Sequence, residues 1–228
     1  MHIRPKIVII IPIYNESKVI GEVVANVRKS GFDNIIIIDD GSTDNSFEII
    51  KHLPVIALQH KINRGKGATI RTGTEAAMFI GADIVVTMDG DGQHDALDID
   101  RFVKAFQEKD VDVVLGVRQL EKENMPISRK LANWIADKVT FLLYGVNLQD
   151  SQSGFRAFSA HAIKLIKTKS NAYSYESEVL REIKTHQLSY TEVPIHVRYT
   201  AYSTSKKHKQ NIVNGIKTIY TMIWNILS

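Results

Sequence analysis

The chain has 228 residues, is 44% hydrophobic and carries a net charge of +4. That length and apolar content suit one domain with a sizeable core. It contains no cysteine, which excludes disulfides and thiolate metal sites.

The N-terminal segment leads directly into an apolar run, Ile7–Ile13, which reads as a first strand. Pro12 breaks this run, which is too short for a signal-peptide core. The strand ends in Pro12-Ile13-Tyr14-Asn15-Glu16. Tyr14 can stack on a nucleobase. Glu16 can bond a ribose, or it can simply favour the first turn of the next helix through the helix dipole. A helical pattern covers Ser17–Lys29. The second strand, Ile35–Ile38, ends in Asp39-Asp40-Gly41-Ser42-Thr43-Asp44. Gly41 permits a tight turn, and Ser42, Thr43 or Asp44 can cap the helix over Asn45–Lys51. Capping does not require Asp39 and Asp40, so one of them is a candidate acceptor for a base N–H or a ribose hydroxyl.

A weaker third strand spans Leu53–Leu58. Asn63-Arg64-Gly65-Lys66-Gly67-Ala68 then precedes a helix over Ala68–Phe79. The glycines let backbone approach a diphosphate, and Lys66 supplies charge. The segment is not a P-loop, because Gly65-Lys66 is not followed by Ser or Thr. It is not a dinucleotide fingerprint, because Ile70 stands where a third glycine belongs.

The fourth strand, Ala82–Met88, ends in Asp89-Gly90-Asp91-Gly92-Gln93. Alternation along a strand lets Asp89 and Asp91 leave it on one side. Two carboxylates and the Gln93 amide oxygen suit a hard cation such as Mg²⁺ or Mn²⁺, which in turn can hold a diphosphate. An EF-hand is excluded by His94 and Asp100 at the positions that need Gly and Glu. A phosphohydrolase of the Asp-x-Asp-x-Thr/Val type is excluded by Gln93. The plain alternative is a polar turn with solvated acids.

A helix over Leu97–Gln107 and a fifth strand over Val111–Val117 follow. Apolar strands separated by helices predict an α/β fold, with a mostly parallel central sheet covered by helices on both faces. Ligands in such sheets bind at the carboxyl ends of the strands. The second half reads as a helix over Pro126–Tyr144, a turn and short strand over Gln149–Phe158, two more helices and a strand over Ser189–Val197. A last helix, about Ser205–Leu227, places Ile212, Ile216, Ile219, Ile223, Trp224 and Leu227 at helical spacing beside Lys206, Lys207, Lys209 and Lys217. Such a helix can lie in a membrane interface or pack on the core. The expected division is a nucleotide-sugar half (1–118), an acceptor half (119–204) and a basic amphipathic helix (205–228) within one catalytic domain.

Pro-Ile-Tyr-Asn-Glu, Asp-Asp-Gly-Ser-Thr-Asp, Gly-Lys-Gly, Asp-Gly-Asp-Gly-Gln-His and Ser-Gly-Phe-Arg occur in that order. In this the chain resembles family 2 glycosyltransferases of the GT-A fold, above all the dolichyl-phosphate mannose synthase and polyprenyl-phosphate sugar transferase group. The resemblance runs from Ile7 to about Ser205. It implies nucleotide binding by Pro12, Tyr14, Glu16, Asp39, Asp40, Lys66 and Asp89. It implies a Mg²⁺ or Mn²⁺ ion at Asp89, Asp91 and Gln93, with Asp91, Arg118 and Arg129 at the reaction centre. It implies acceptor binding by Arg118, Arg129, Asn133, Ser153 and Arg156, with Arg156 equally suited to holding its loop.

The implied reaction is inverting transfer of a sugar from GDP-mannose, UDP-glucose or UDP-N-acetylglucosamine to a dolichyl or polyprenyl phosphate. A hydroxyl acceptor would need a general base, and Asp150 is the candidate. No Gln-x-x-Arg-Trp follows, which argues against polymer synthesis. More distant alternatives are a sugar-phosphate nucleotidylyltransferase, whose Gly-rich N-terminal signature is missing, and a nucleic-acid-binding module, for which only the positive charge speaks. No stretch approaches the roughly 18 apolar residues of a spanning helix. The expected location is therefore cytoplasmic and peripheral at the membrane face, through the last helix or an anchoring partner.

Overall fold

A computed structural model describes residues 5–118, 148–151, 153–169, 175–198 and 202. The helix expected over Pro126–Tyr144 and the basic C-terminal helix lie outside the described residues.

The first half alternates strand and helix. β1 (Ile7–Ile13) is followed by α1 (Ile20–Lys29), β2 (Ile35–Asp39), α2 (Ser46–Lys51), β3 (Ile56–Gln59), α3 (Lys66–Phe79) and β4 (Ile84–Thr87). A 3₁₀ turn over Ala96–Asp98 then leads into α4 (Ile99–Glu108), β5 (Val113–Arg118), β6 (Arg156–Ser159), α5 (Ala160–Leu165), α6 (Tyr175–Thr185) and β7 (Tyr190–Ile195). The seven strands form one sheet in the order β3-β2-β1-β4-β6-β5-β7. All neighbours are parallel except β6, which runs antiparallel between β4 and β5. The mostly parallel sheet is as expected.

Period-2 alternation assigns each strand residue to one of two cores. Ile9, Ile11, Ile13, Ile35, Ile37 and Val86 pack with Val23, Val24 and Val27 of α1 and with Ile99 and Phe102 of α4. Val8, Ile10, Ile36, Ile38 and Val85 pack with Ile70 and Ala77 of α3 and with Val179, Leu180 and Ile183 of α6. Because β1 and β2 are apolar on both faces, they sit inside the sheet with helices on each side.

Element boundaries shift where backbone hydrogen bonds intervene. α1 starts at Ile20 rather than Ser17, because the Glu16 carbonyl accepts from Val19 and Ile20 N–H and closes a turn first. β3 starts at Ile56 rather than Leu53. The Leu53 N–H donates to Ile50 and the Val55 N–H to Leu53, and Pro54 has no N–H to give a ladder. α3 starts at Lys66 rather than Ala68, directly after Gly65 at φ 92°.

Candidate functional site

β1, β2, β4 and β5 run in the same direction, so their carboxyl ends share one edge of the sheet. The β1 end bends at Asn15, at φ 57°. Its Oδ1 accepts from the N–H groups of Thr43 (2.8 Å) and Asp44 (3.3 Å), and its own N–H donates to Ser42 Oγ at 2.8 Å. These bonds tie the β1 and β2 ends together. Pro12 lies in β1, paired in register with Ile38. Tyr14 is 43% exposed beside this junction, free to meet a planar ligand. Glu16 is buried; its N–H donates to Ser46 Oγ (2.8 Å) and its Oε2 accepts from the Tyr202 hydroxyl (3.0 Å). Asp44 bonds the Ser46 and Ser17 N–H groups and the Ser46 hydroxyl. Burial opposes its charge, but these donors win and hold its carboxyl down at about 2.

Asp39 and Asp40 are both buried. Asp39 accepts from the Ser42 N–H at 2.9 Å, from the Ser42 hydroxyl and from Gln59 Nε2 at 3.2 Å. Asp40 accepts from the backbone N–H groups of Arg64 (2.9 Å) and Gly65 (2.7 Å), and His60 Nδ1 lies 2.8 Å from its Oδ1. Asp40 therefore shapes the loop that delivers Lys66. The nucleoside-binding role that the resemblance implies for Asp39 and Asp40 stands beside these bonds as a proposal.

The centre of the edge is a charge cluster. Lys66 Nζ lies 2.6 Å from Asp89 Oδ1 and 3.1 Å from Glu176 Oε1. Burial opposes the charge on Lys66, but Asp89 and Glu176 overcome this and raise its pKa. Burial likewise opposes the charge on Asp89, yet Lys66, His94 and Arg118 hold its carboxyl down at about 2. Asp91 behaves oppositely: burial first, then the neighbouring Asp89 carboxylate, raise its pKa. Its Oδ1 accepts from the Gln93 N–H at 3.0 Å. The Asp89 N–H donates to His94 Nδ1 at 3.2 Å, and burial lowers the His94 pKa, consistent with the neutral ring that can accept there. The His94 ring also stacks on Phe155, with centroids 4.9 Å apart.

Two adjacent hard-oxygen donors, one of them destabilised by like charge, fit a divalent cation that takes its remaining ligands from a diphosphate and water. Among the described residues no cluster of three or more acidic or imidazole side chains gathers at a metal-binding spacing. Asp89 and Asp91, with Gln93 beside them, are the residues that would hold such an ion.

Arg118, at the end of β5, forms a fork with Asp150: its Nε is 2.7 Å from Oδ2 and its Nη2 is 2.9 Å from Oδ1. Arg156 is 2% exposed. Its Nε, Nη1 and Nη2 donate to the carbonyls of Ser153, Glu176 and Ser151, each at 2.9 Å. Of the two roles open to Arg156, acceptor contact or holding its loop, these bonds are of the holding kind, since each of its three nitrogens donates to a backbone carbonyl inside the protein. Ser153 is also buried, and its Oγ takes the Phe155 N–H at 3.4 Å. Arg129 and Asn133 lie outside the described residues.

The sequence places Glu176 with Glu178 on a helix of the acceptor side without a catalytic role, and it gives His94 no role. His94 was visible as the last residue of Asp-Gly-Asp-Gly-Gln-His. Glu176 carried only the signal of an acid in a first helical turn. Gly154 also matters: a Cβ there would clash with Lys66 Nζ and lie 3.2 Å from both Asp89 carboxylate oxygens. The backbone of the 153–155 loop thus forms a wall of the charge cluster.

Comparison with known proteins agrees with this geometry. The Glycosyl transferase family 2 model matches residues 8–166. The UDP-N-acetylglucosamine–dolichyl-phosphate N-acetylglucosaminyltransferase of Methanococcus voltae is 39% identical over 95% of this chain and 94% of its own. The undecaprenyl-phosphate mannosyltransferase of Micrococcus luteus is 26% identical over 83% of this chain and 82% of its own. Among solved structures, glucosyl-3-phosphoglycerate synthase of Mycobacterium tuberculosis, in complex with Mn²⁺, UDP and glucosyl-3-phosphoglycerate, superposes with a TM-score of 0.65 at 17% identity. That match covers 94% of this chain and 80% of the synthase. At that identity the likeness speaks to the fold, which is of the GT-A type.

Proposed function

The chain belongs to glycosyl transferase family 2, and from that membership we propose that it moves a sugar from a nucleoside diphosphate to a polyprenyl phosphate. The observation that carries the acceptor class is the Arg118–Asp150 fork. It sets a guanidinium close enough to Asp89 to lower its pKa, and it occupies both oxygens of the acid that a hydroxyl acceptor would need as base. A phosphate monoester acceptor carries its nucleophilic oxygen already ionised, since its second pKa is about 6. It requires a cation to receive it rather than a base. The similarity to the Methanococcus voltae enzyme supports this class and makes UDP-N-acetylglucosamine the first donor to test.

The residues divide the work as follows. The exposed Tyr14 ring offers a face for the base, beside the turn that Asn15 pins. Asp89 and Asp91, with Gln93, would hold Mg²⁺ or Mn²⁺, which when bound neutralises the departing diphosphate. Lys66 adds a second positive charge at the same place. Arg118 orients the acceptor phosphate toward the anomeric carbon, and Arg129 is assigned to the same task. An acceptor oxygen forms a bond to that carbon as the bond to the β-phosphate oxygen breaks on the opposite face. The configuration inverts, and the electron pair leaves with the nucleoside diphosphate.

No helix among the described residues is long and apolar enough to cross a membrane. The reaction is assigned to the cytoplasmic membrane face through peripheral contact. The basic apolar stripe of 205–228 supports that assignment, and an anchoring partner would serve the same end.

The test uses purified protein, Mn²⁺ or Mg²⁺, polyprenyl phosphate and a panel of radiolabelled sugar nucleotides, with label counted in the organic phase. Transfer from one donor, lost in Asp91→Ala and Arg129→Ala, is the expected outcome. No transfer from any donor, with metal-dependent nucleotide binding intact, would sink the lipid-phosphate acceptor and leave a hydroxyl acceptor in its place.

A further inference from the structure

Lys66 is held between two acids of different standing. Asp89 has a side chain 32% exposed, stands at the end of β4 and adjoins Asp91. Glu176 has a side chain only 9% exposed and sits in the first turn of α6. Its backbone carbonyl is fixed by Arg156 Nη1, from an arginine that is itself buried. Resting on the reading that this edge binds a nucleoside diphosphate sugar, we propose that Glu176 is a positioning residue of the transfer. It holds the Lys66 ammonium where the donor diphosphate arrives, and Lys66 exchanges Asp89 for a phosphate oxygen while keeping Glu176.

The asymmetry of the three groups carries this inference. An ammonium between a buried, fixed acid and a partly exposed one has a pivot and a releasable partner. Asp89 is the releasable one, because it is the acid that the divalent ion would claim. Each charge then finds a new partner in one step: the carboxylate turns to the incoming ion and the ammonium to the incoming phosphate. The ammonium is confined from a third side, since a Cβ at Gly154 would clash with Nζ. A lysine is a point charge on a flexible four-carbon stem. Without the fixed acid, its position over the diphosphate would be one of many.

Positioning has a signature that a purely structural acid lacks. Its effect vanishes when the positioned group is gone. The experiment measures binding of UDP and of GDP with Mn²⁺ by calorimetry, and kcat and KM of transfer, for wild type, Glu176→Gln, Lys66→Ala and the double variant. Glu176→Gln is expected to weaken nucleoside diphosphate binding about tenfold, with kcat falling more than the acceptor KM changes. Lys66→Ala is expected to do at least as much, and the double variant to match Lys66→Ala alone.

Wild-type affinity and kcat in Glu176→Gln, or effects of the two substitutions that multiply in the double variant, would overturn the proposal. Should Glu176→Gln lose its fold at the assay temperature, Glu176→Asp keeps the charge and retracts it by one methylene. It is expected to show the same coupling to Lys66 at smaller size, and an absence of coupling there overturns the proposal as well. A wild type that binds neither nucleotide defeats the donor-site reading itself, which separates that failure from this one.

Discussion

Arg156→Lys separates a scaffold role from a ligand role, because it keeps the charge and removes the fork. Arg156 makes three bonds, to the carbonyls of Ser151, Ser153 and Glu176, each at 2.9 Å. A lysine ammonium in the same space can reach one of them. Two bonds from a charged donor are then lost, each worth about 1.5–3 kcal/mol. The retained bond and some relaxation of the loop place the net loss near the lower end, about 3–4 kcal/mol. With a urea dependence of about 2–3 kcal/mol per molar for a chain of this size, the unfolding midpoint should fall by roughly 1–2 M. Equilibrium urea unfolding followed by circular dichroism measures this directly. Steady-state kinetics in the folded range should show the acceptor KM within about twofold of wild type, since a surviving fold keeps its ligand contacts. An unmoved midpoint together with a large rise in acceptor KM would refute the reasoning, because it would put the guanidinium on the acceptor and not on the loop.

Asp40→Asn loses the anion that receives the Arg64 and Gly65 N–H groups. It should destabilise by about 2–3 kcal/mol and speed amide exchange across residues 61–65, read by hydrogen-exchange mass spectrometry. Gly154→Ala should displace the Lys66 ammonium without disturbing either core. We expect transfer to fall at least about tenfold while the melting temperature moves by no more than about 2 °C, measured side by side. The depressed Asp89 carboxyl gives a pH prediction. Its folded pKa, about 2, lies below its unfolded value, so its stabilising share is present at neutral pH and is lost as pH falls from about 4 toward 2. The melting-temperature gap between wild type and Asp89→Asn should hold from pH 7 to about 5 and close below 4, and a gap independent of pH would contradict the Lys66–Asp89 pairing.

Much of this was legible because apolar runs and their punctuation are local. Ile7–Ile13 and Ile35–Ile38 announce buried strands, and the acids Asp39 and Asp40 placed directly after the second mark the functional edge. β6 was legible as a short strand, but not as an antiparallel insertion between β4 and β5. Its four residues, Arg-Ala-Phe-Ser, carry no information about partners. The acids themselves are ambiguous for a physical reason. A carboxylate that organises a loop and one that meets a ligand both follow a strand, and both want N–H donors or cations. Asp40 turned out to serve the loop and Asp89 the centre, a difference set by which backbone N–H groups point inward. The partnership of Lys66 with Glu176 was out of reach, since it depends on α3 and α6 covering the same sheet face.

Several of the acids around the centre rest against a basic side chain. Asp89 has Lys66, Glu176 has Lys66, Asp150 has Arg118, Asp95 has Arg198 and Asp98 has His196 and Arg101. Among the described residues no lysine, arginine or histidine pairs with Asp91. Its carboxyl is pushed up by burial and by Asp89 instead. A half-buried acid beside another acid is an unfavourable arrangement for the protein alone. It would become favourable with a divalent cation and a diphosphate bound, the one supplying the missing positive charge and the other the remaining ligands. The same arrangement explains why Lys66 rests on Asp89 and not on Asp91. At rest the lysine compensates Asp89 and leaves Asp91 open, and an arriving divalent ion would take both carboxylates as the lysine turns to the phosphate.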